Sequence, residues 1–367
     1  MLIDNVNFNL LYETTYFFVA LLVVISILSV EINKDYIRQQ KIGKILVFIP
    51  IIFLIPLIGL REYNVGTDTT NYYNTVWLSN DSISFDTEFS FLLLVKIIKY
   101  LGLDFSAFLF MIATIFILTT YIAIKRISSF YNSNIFYVFF VYFSMFFFLS
   151  MSINIMRQGV SLSFLLLAYS YLINKSSKTK VVIAAFIATS FHVTALIPIL
   201  IYFVSHKKYR VLRIEYFYLL YILFIILSYL NIGLLNISPY IVEILGSDNR
   251  RAGYLSDDDF GYTVGFKPQF VVFNTSFLIV ALYVKSRLLN SVVKSEYSVI
   301  IRYYILTSCI FFMAFQIPFS DRWGLFSWVA IPILMLPLFS VAYIKKGIKI
   351  HWILLLILTF VGFNIYA

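Results

Sequence analysis

Residues 45–73 read ILVFIPIIFLIPLIGL followed by REYNVGTDTTNYY, an apolar run that passes directly into a polar loop. The run has the composition of a membrane-spanning helix, and similar runs recur along the whole chain. Of the 367 residues, 61% are hydrophobic and only 13% are charged, which is more apolar than a water-soluble core requires. The sequence therefore predicts an all-α polytopic integral membrane protein.

The positions of the basic residues predict how the chain is threaded through the membrane. The net charge is +10, but most of the 28 Lys and Arg residues lie in clusters between apolar runs, so no nucleic-acid partner is predicted. The positive-inside rule places such clusters on the cytoplasmic side. The clusters are Lys34, Arg38, Lys41 and Lys44; Lys125 and Arg126; Lys175, Lys178 and Lys180; Lys207, Lys208, Arg210 and Arg213; Lys285, Arg287 and Lys294; and Lys345, Lys346 and Lys349.

About ten transmembrane helices, with both termini outside, satisfy this rule. We expect them to form a single transmembrane domain over residues 1–367, with exterior loops at 61–88 and 236–268. The predicted crossings are 10–30, 45–60, 105–124, 135–155, 157–173, 214–236, 269–284, 298–317, 324–344 and 351–366.

Two apolar segments do not fit as full crossings. Residues 89–101 are too short for a hydrocarbon core of about 30 Å and carry two lysines three positions apart, which predicts an in-plane amphipathic helix. Residues 181–204 are long enough to cross, but basic clusters flank them on both sides. A single crossing would leave one cluster outside, so we predict a short helical hairpin with its apex near residues 190–192.

The basic residues that this topology leaves outside are mostly arginines, whereas the cytoplasmic clusters are mostly lysines. Lysine suffices to orient a helix, but the planar fork of arginine matches a phosphate or carboxylate. The exterior set therefore predicts an anion-binding site that supplies its charge without a metal or cofactor. Its members are Arg61, Arg157, Arg250, Arg251, Lys267 and Arg322.

Two of these arginines stand where predicted helices begin. Arg157, followed by Gln158, opens a helix that runs inward, and the free N–H groups of such a terminus attract anions. The alternative is an interfacial anchor whose side chain reaches the lipid headgroups. Arg322 is placed in the same way, although it could instead pair with Asp321.

Asp68 and His192 are the candidate catalytic bases. Asp68 follows Gly66, whose missing side chain permits close approach of the backbone to a ligand, but Asp68 could also cap a helix beginning at Thr69. His192 carries a donor and an acceptor nitrogen near neutral pH, although a lone histidine in an apolar run is commonly a packing residue. The choice between the two bases stays open from the residues alone.

Aromatic and acidic residues complete the predicted exterior surface. Tyr72 and Tyr73 could present flat rings to a sugar or rest at the membrane interface. The loop 236–268 contains two of the arginines, Tyr254 and three consecutive aspartates at 257–259. Consecutive carboxylates rarely converge on one cation without further ligands, so a solvated acidic tip is preferred over a metal site.

Several short motifs occur in an order that resembles the EpsG/Wzy-type polysaccharide polymerases of bacteria. Each is weak alone, but together they extend from about residue 60 to about residue 325. They are Arg61, Val65-Gly66-Thr67-Asp68-Thr69, Tyr72, Arg157-Gln158, Phe191-His192 and an arginine-containing loop before a late helix.

The resemblance implies a fold similar to the membrane glycosyltransferases that use lipid-linked donors. It implies an enzyme that joins oligosaccharide repeat units, with undecaprenyl pyrophosphate carriers on both donor and acceptor, at the outer face of the bacterial cytoplasmic membrane. Expected partners are these lipid-linked substrates, the bilayer and a chain-length regulator. The expected roles are catalysis for Asp68, His192 and Arg157; pyrophosphate binding for Arg157, Arg250, Arg251, Arg61 and Arg322; and sugar binding for Tyr72, Tyr73, Gln158 and Tyr254.

Two rival functions come from other classes. A lipid-linked glycan flippase or transporter would need polar residues through the bilayer midplane, whereas the charges here collect at one face. A transferase that adds a single side-branch sugar from a monophosphate carrier, or an acyltransferase that decorates the polymer, would also suit exterior polar loops. The lipid product separates the two glycosyl transfers, and an acyl-donor requirement marks the third reaction.

Overall fold

The computed structural model describes residues 2–33, 36–79, 88–205, 213–234 and 264–340, together with Leu355 and Ile357. The predicted crossing at 351–366 and the loop residues Arg250, Arg251 and Tyr254 lie outside this set, as do the three aspartates at 257–259. The described residues fold almost entirely into helices, which confirms the all-α class.

The chain divides into two compact units, residues 1–199 with 335–367 and residues 200–334. Short π or 3₁₀ turns occupy Tyr73–Trp77, Val193–Ala195, Ala314–Gln316 and Leu336–Phe339. The α-helices described are α1 (Asn5–Asn33), α2 (Tyr36–Leu46), α3 (Phe48–Gly59), α4 (Thr69–Tyr72), α5 (Phe89–Tyr100), α6 (Phe105–Tyr131), α7 (Ile135–Phe143), α8 (Phe146–Ile153), α9 (Met156–Ile173), α10 (Lys178–Phe191), α11 (Leu196–Phe203), α12 (Ile214–Tyr229), α13 (Pro268–Arg287), α14 (Ser291–Met313), α15 (Asp321–Trp328) and α16 (Ile331–Met335).

Among the described residues, six helical stretches are long and apolar enough to cross a membrane. They coincide with six of the predicted crossings and establish a multi-pass membrane protein. The total of ten crossings stays a prediction, because α9 (18 residues) and α12 (16 residues) are shorter than any of the six stretches, and the predicted crossing at 135–155 is bent. The six are Asn5–Ser29, Ile37–Gly59, Phe105–Tyr131, Pro268–Arg287, Ser291–Gln316 and Asp321–Phe339.

The bent segment is α7 with α8, for which the sequence predicts one straight crossing at 135–155. The two helices meet at an angle of 75°. The Ser144 hydroxyl donates to the Phe140 carbonyl oxygen (2.8 Å), and the next residue, Met145, has extended backbone. A serine that bonds back to the preceding turn competes with the helical ladder, and here the ladder ends.

Helix α9 is the centre of the first unit, because it packs against α6, α8 and α10. Helix α5 packs against α6 and α10, so that its first turn lies beside the last turn of α10. The hydroxyls of Ser90 and Ser190 join these two turns at 2.6 Å. The beginning of α9, the beginning of α5 and the end of α10 therefore meet in one region.

Helix α5 has the amphipathic character expected for residues 89–101. Phe91, Val95 and Ile98 are buried on one side, whereas Lys96 is exposed together with Ile97 and Tyr100. The apolar residues recur at helical spacing, as a helix resting on a surface requires. Its position in the plane of the membrane stays a prediction.

The interruption of the helix expected near residues 190–192 is present. Helix α10 ends at Phe191, and His192 has extended backbone before the short turn Val193–Ala195. The predicted break is confirmed at this position, and the antiparallel return of a hairpin stays a prediction. His192 therefore lies just beyond the last turn of α10 and does not have helical geometry.

The second unit is built around α14, which packs against α12, α13 and α15. Asn274 of α13 is fully buried and donates to the Ser308 and Ser327 hydroxyls, while its side-chain oxygen accepts from the Trp328 indole N–H. These bonds tie α13 to α14 and α15. Interhelical hydrogen bonds of this kind are a common means of fixing helices in membranes.

Candidate functional site

One carboxylate joins the two strongest candidates from the sequence. Glu88 Oε2 accepts a charge-assisted hydrogen bond from Arg157 Nη1, and Glu88 Oε1 lies 2.6 Å from His192 Nδ1. The side chains of Arg157, His192 and Glu88 are only 24%, 23% and 15% exposed. The three residues come from the first turn of α9, the break after α10 and the residue before α5.

The turn that leads into α9 brings Arg157 to this position. Helix α8 ends at Ile153, and α9 begins at Met156, so the predicted helix start at Arg157 is confirmed. Gly159 allows the close crossing of α8 and α9, because a Cβ there would lie 2.4 Å from the Met151 carbonyl oxygen. A larger residue at 159 would push the first turn of α9, and with it Arg157, away from α8.

Aromatic rings cover the guanidinium of Arg157. Its Cζ atom lies 5.1 Å from the centre of the Tyr72 ring and 5.7 Å from that of Phe91. Cation–π attraction stabilises the charge in a site that is largely withdrawn from water. The rings themselves are 5.5 Å apart, so α4 and α5 form one wall of the site.

Tyr72 is buried beside these charges. Burial raises the pKa of its phenol; the negative charges of Glu88 and Asp68 add to this rise, and Arg157 opposes it. The phenol therefore stays protonated at neutral pH and keeps a hydrogen-bond donor in the site. The geometry places the predicted sugar-binding Tyr72 against the predicted pyrophosphate-binding Arg157.

Asp68 lies at the N-cap position of α4, but its side chain makes no capping hydrogen bond. Its charge acts on the Tyr72 phenol, which places Asp68 near the edge of the same site. The preceding Gly66 has φ +92°, in the left-handed region that glycine tolerates best. A Cβ at Gly66 would lie 2.6 Å from Asn154 Oδ1, so the loop rests directly on the α8–α9 turn.

Arg61 is 1% exposed, and its guanidinium bonds within the protein. It donates to the carbonyl oxygens of Ile58 and Ile153, and Thr69 Oγ1 also donates to Ile153 at 2.7 Å. Burial lowers the pKa of Arg61 to about 9, which leaves the group cationic at neutral pH. These bonds join the end of α3 to the α8–α9 turn and argue against direct contact with a ligand.

The remaining predicted site residues are spread more widely. Tyr73 stacks on Tyr63 with ring centres 4.9 Å apart, and Gln158 is buried behind Arg157. Arg322 belongs to the second unit, where its guanidinium lies 4.8 Å from the Phe319 ring centre. Arg250, Arg251 and Tyr254 lie outside the described residues, so their roles stay predictions.

Glu88 is the residue that sequence reasoning missed. It is the last polar residue before the apolar run of α5, and it is separated from Arg157 by 69 positions and from His192 by 104. An acidic residue at the edge of an apolar segment can indicate a functional site. Only the packing of α5 on α10 shows which residues Glu88 contacts.

This arrangement can perform two chemical tasks. A partly exposed guanidinium can bind an anion, and a histidine whose Nδ1–H is held by a carboxylate presents Nε2 as a proton acceptor. Within the described part of the chain, no group of three or more His, Cys, Asp and Glu residues could hold a metal ion.

The fold and the site define a multi-pass helical membrane protein with an Arg–Glu–His cluster outside its candidate spans. A family model described as the EpsG family matches residues 44–367. The chain belongs to the EpsG family, as its motifs predict, and this membership indicates a bacterial polysaccharide-polymerase type of function. Neither a curated protein nor a solved structure matches the chain significantly.

Proposed function

We propose that this protein joins oligosaccharide repeat units carried on undecaprenyl pyrophosphate, by glycosyl transfer at the outer face of the bacterial cytoplasmic membrane. The observation that carries the proposal is the shared carboxylate of Glu88, which brings Arg157 and His192 to one place. The reaction needs a cation for the departing pyrophosphate and a base for the attacking hydroxyl. Arg157 and His192 are of these two types.

In the proposed reaction, a hydroxyl oxygen of the acceptor unit attacks the anomeric carbon of the donor chain. The bond between that carbon and the pyrophosphate oxygen breaks, and undecaprenyl pyrophosphate leaves with the bonding electron pair. Arg157 stabilises the negative charge that develops on the leaving group. His192 Nε2 receives the proton of the attacking hydroxyl.

His192 is preferred over Asp68 as the base because a carboxylate supports its ring. Glu88 at 2.6 Å from Nδ1 fixes the orientation of the imidazole and stabilises the imidazolium that forms when Nε2 takes a proton. Asp68 acts instead on Tyr72, the ring that covers Arg157. We propose that Asp68 and Tyr72 contact the sugar next to the pyrophosphate.

The decisive experiment uses purified full-length protein in liposomes with undecaprenyl-pyrophosphate-linked repeat units, and it measures the chain length of the lipid-linked product. Long chains with release of undecaprenyl pyrophosphate are expected. His192→Gln should lower the rate by at least about 100-fold, and Asp68→Asn by much less, because only His192 is assigned as the base.

Three results would refute the proposal. Release of undecaprenyl monophosphate would indicate single-sugar transfer, and a requirement for an acyl donor would indicate acylation. Transfer of the lipid between leaflets without a new glycosidic bond would indicate a flippase. Loss of activity in Asp68→Asn, with His192→Gln unaffected, would exchange the two roles without refuting the polymerase.

A further inference from the structure

Glu88 uses both of its carboxylate oxygens, and each oxygen serves a different partner. Oε2 accepts from Arg157, and Oε1 lies against His192 Nδ1. All three side chains are mostly buried, so the ion pair with Arg157 is screened little by water. The guanidinium charge is therefore already neutralised by a residue of the protein before any substrate is bound.

An incoming diphosphate must approach Arg157 along the plane of the guanidinium. The rings of Tyr72 and Phe91, with centres 5.1 Å and 5.7 Å from Cζ, cover part of the guanidinium. Hydrogen bonds to an anion form from the N–H groups at the edge. Glu88 accepts from Nη1 on this edge, so a diphosphate that makes two parallel bonds there competes with Glu88 for Nη1.

We propose that Glu88 is an exchangeable counter-ion that leaves Arg157 when the substrate diphosphate arrives and keeps its contact with His192. The inference rests on the proposed function of this site. Once Arg157 is paired with the diphosphate, Glu88 no longer shares its charge with the guanidinium, and more of that charge acts on the imidazole. The arrival of the donor thereby strengthens the base that takes the proton from the attacking hydroxyl.

The other ionisable groups near Glu88 do not replace it in this exchange. Tyr72 stays protonated and meets Arg157 as a neutral ring whose hydroxyl oxygen accepts from the guanidinium. Asp68 acts on the Tyr72 phenol, and it lies at the N-cap position of α4. Among the described residues, only Glu88 has salt-bridge geometry to either Arg157 or His192.

Glu88→Gln tests the exchange because glutamine keeps the size of the side chain and removes its charge. We expect a polyprenyl diphosphate in detergent to bind about 3- to 10-fold more tightly, since the competing carboxylate is gone. In the polymerase assay, KM for the lipid-linked donor should fall, and kcat should fall by at least about 10-fold, since His192 loses its charged support. Glu62→Gln, in the same loop but without contact to the cluster, is the matched control and should change neither value.

A purely structural clamp gives a different result. If Glu88 only held α5, α9 and α10 together, Glu88→Gln would weaken diphosphate binding and lower kcat together. Glu88→Asp keeps the charge on a shorter side chain and should restore part of kcat while returning the diphosphate affinity toward that of the wild type. Weaker or unchanged binding in Glu88→Gln would overturn the exchange.

The same measurements separate this inference from the proposed function. If Arg157→Ala does not weaken polyprenyl diphosphate binding, the assignment of Arg157 to pyrophosphate is wrong, and with it the site on which the exchange depends. If Arg157→Ala weakens binding but Glu88→Gln does not strengthen it, the proposed function stands and the exchange alone is refuted.

Discussion

At the scale of single residues, two arginines of the exterior set have opposite environments. Arg61 is 1% exposed and bonds to the carbonyl oxygens of Ile58 and Ile153. Arg157 is partly exposed and is balanced by one carboxylate. Both follow an apolar stretch and look equivalent in the sequence. The difference in burial supports our proposal that Arg61 holds the site together and that Arg157 meets the substrate.

Arg157→Lys keeps the charge and removes the planar fork. We expect polymerisation to fall by about 100-fold, because an ammonium cannot make two parallel bonds to a diphosphate and stacks less well on Tyr72. The measurement is the chain length of lipid-linked product at matched membrane protein levels. Arg126→Lys is the control, since Arg126 also lies on a ring, Tyr171, but on the opposite predicted side. Wild-type chains from Arg157→Lys would show that Arg157 is only an interfacial anchor.

Gly66→Ala should disrupt the site without touching a charged group. An alanine Cβ would lie 2.6 Å from Asn154 Oδ1, at a backbone φ of +92° that costs about 1–2 kcal/mol by itself. Gly102→Ala separates the two effects, because Gly102 also has positive φ but no atom within 4 Å of the added Cβ. We expect both variants to lose thermal stability and only Gly66→Ala to lose polymer. Equal activity of the two variants would contradict the close approach of this loop to the α8–α9 turn.

At the residue scale, the sequence indicates candidate site residues where the chemistry is visible in the residue type. Arg157 and His192 are identified as candidates because a charge and an imidazole at the ends of apolar runs are costly to place there. Glu88 is also a charged residue at the end of an apolar run, but it is missed because its place in the site depends on two partners that are distant in the chain. Pairing of this kind arises from tertiary packing and leaves no mark in local sequence.

At the scale of helices, the sequence predicts where helices occur better than where they bend. The break at His192 and the amphipathic α5 are both visible as patterns of charge and hydrophobicity. The 75° bend between α7 and α8 is not, because every residue of α7 is apolar and buried. A fully apolar run carries no periodicity that could indicate where the helix stops.

Asn274 offers a test of how the helices of the second unit are held. Asn274→Leu leaves the Trp328 indole N–H and the Ser308 and Ser327 hydroxyls without their partner. Each interhelical bond in a membrane is worth about 0.6–2 kcal/mol, so we expect a loss of roughly 2–4 kcal/mol. Thermal unfolding in detergent measures it. Ser276→Ala on an exposed face of the same helix is the control, and equal midpoints for the two variants would refute the role of Asn274.

At the scale of the whole molecule, hydrophobicity indicates the class of protein and charge predicts its orientation. The apolar runs predict a multi-pass helical protein, and the described residues contain six stretches that can cross a membrane. The clusters of Lys and Arg then predict a side for every loop. The number of crossings is harder to predict from the sequence. Short helices such as α12 and bent pairs such as α7–α8 are as apolar as a membrane span, but they are not straight helices long enough to cross.

Orientation can be tested by cysteine labelling in intact cells. Asn74 lies in the predicted exterior loop and Ser177 lies among the lysines of a predicted cytoplasmic cluster, and both are exposed. The native Cys309 is buried and should not react with a membrane-impermeant maleimide. We expect Asn74→Cys to be labelled in intact cells and Ser177→Cys to be labelled only after the membrane is permeabilised.

This result bears on every assignment at the smaller scales. Glu88 belongs to the same predicted exterior loop as Asn74 and contacts Arg157 and His192. The proposed reaction requires all three residues to face the side on which lipid-linked units are joined. Labelling of Ser177→Cys in intact cells, with Asn74→Cys protected, would place the Arg–Glu–His cluster on the cytoplasmic side. The polymerase would then be excluded at this site, because the proposed reaction joins lipid-linked units at the outer face of the membrane.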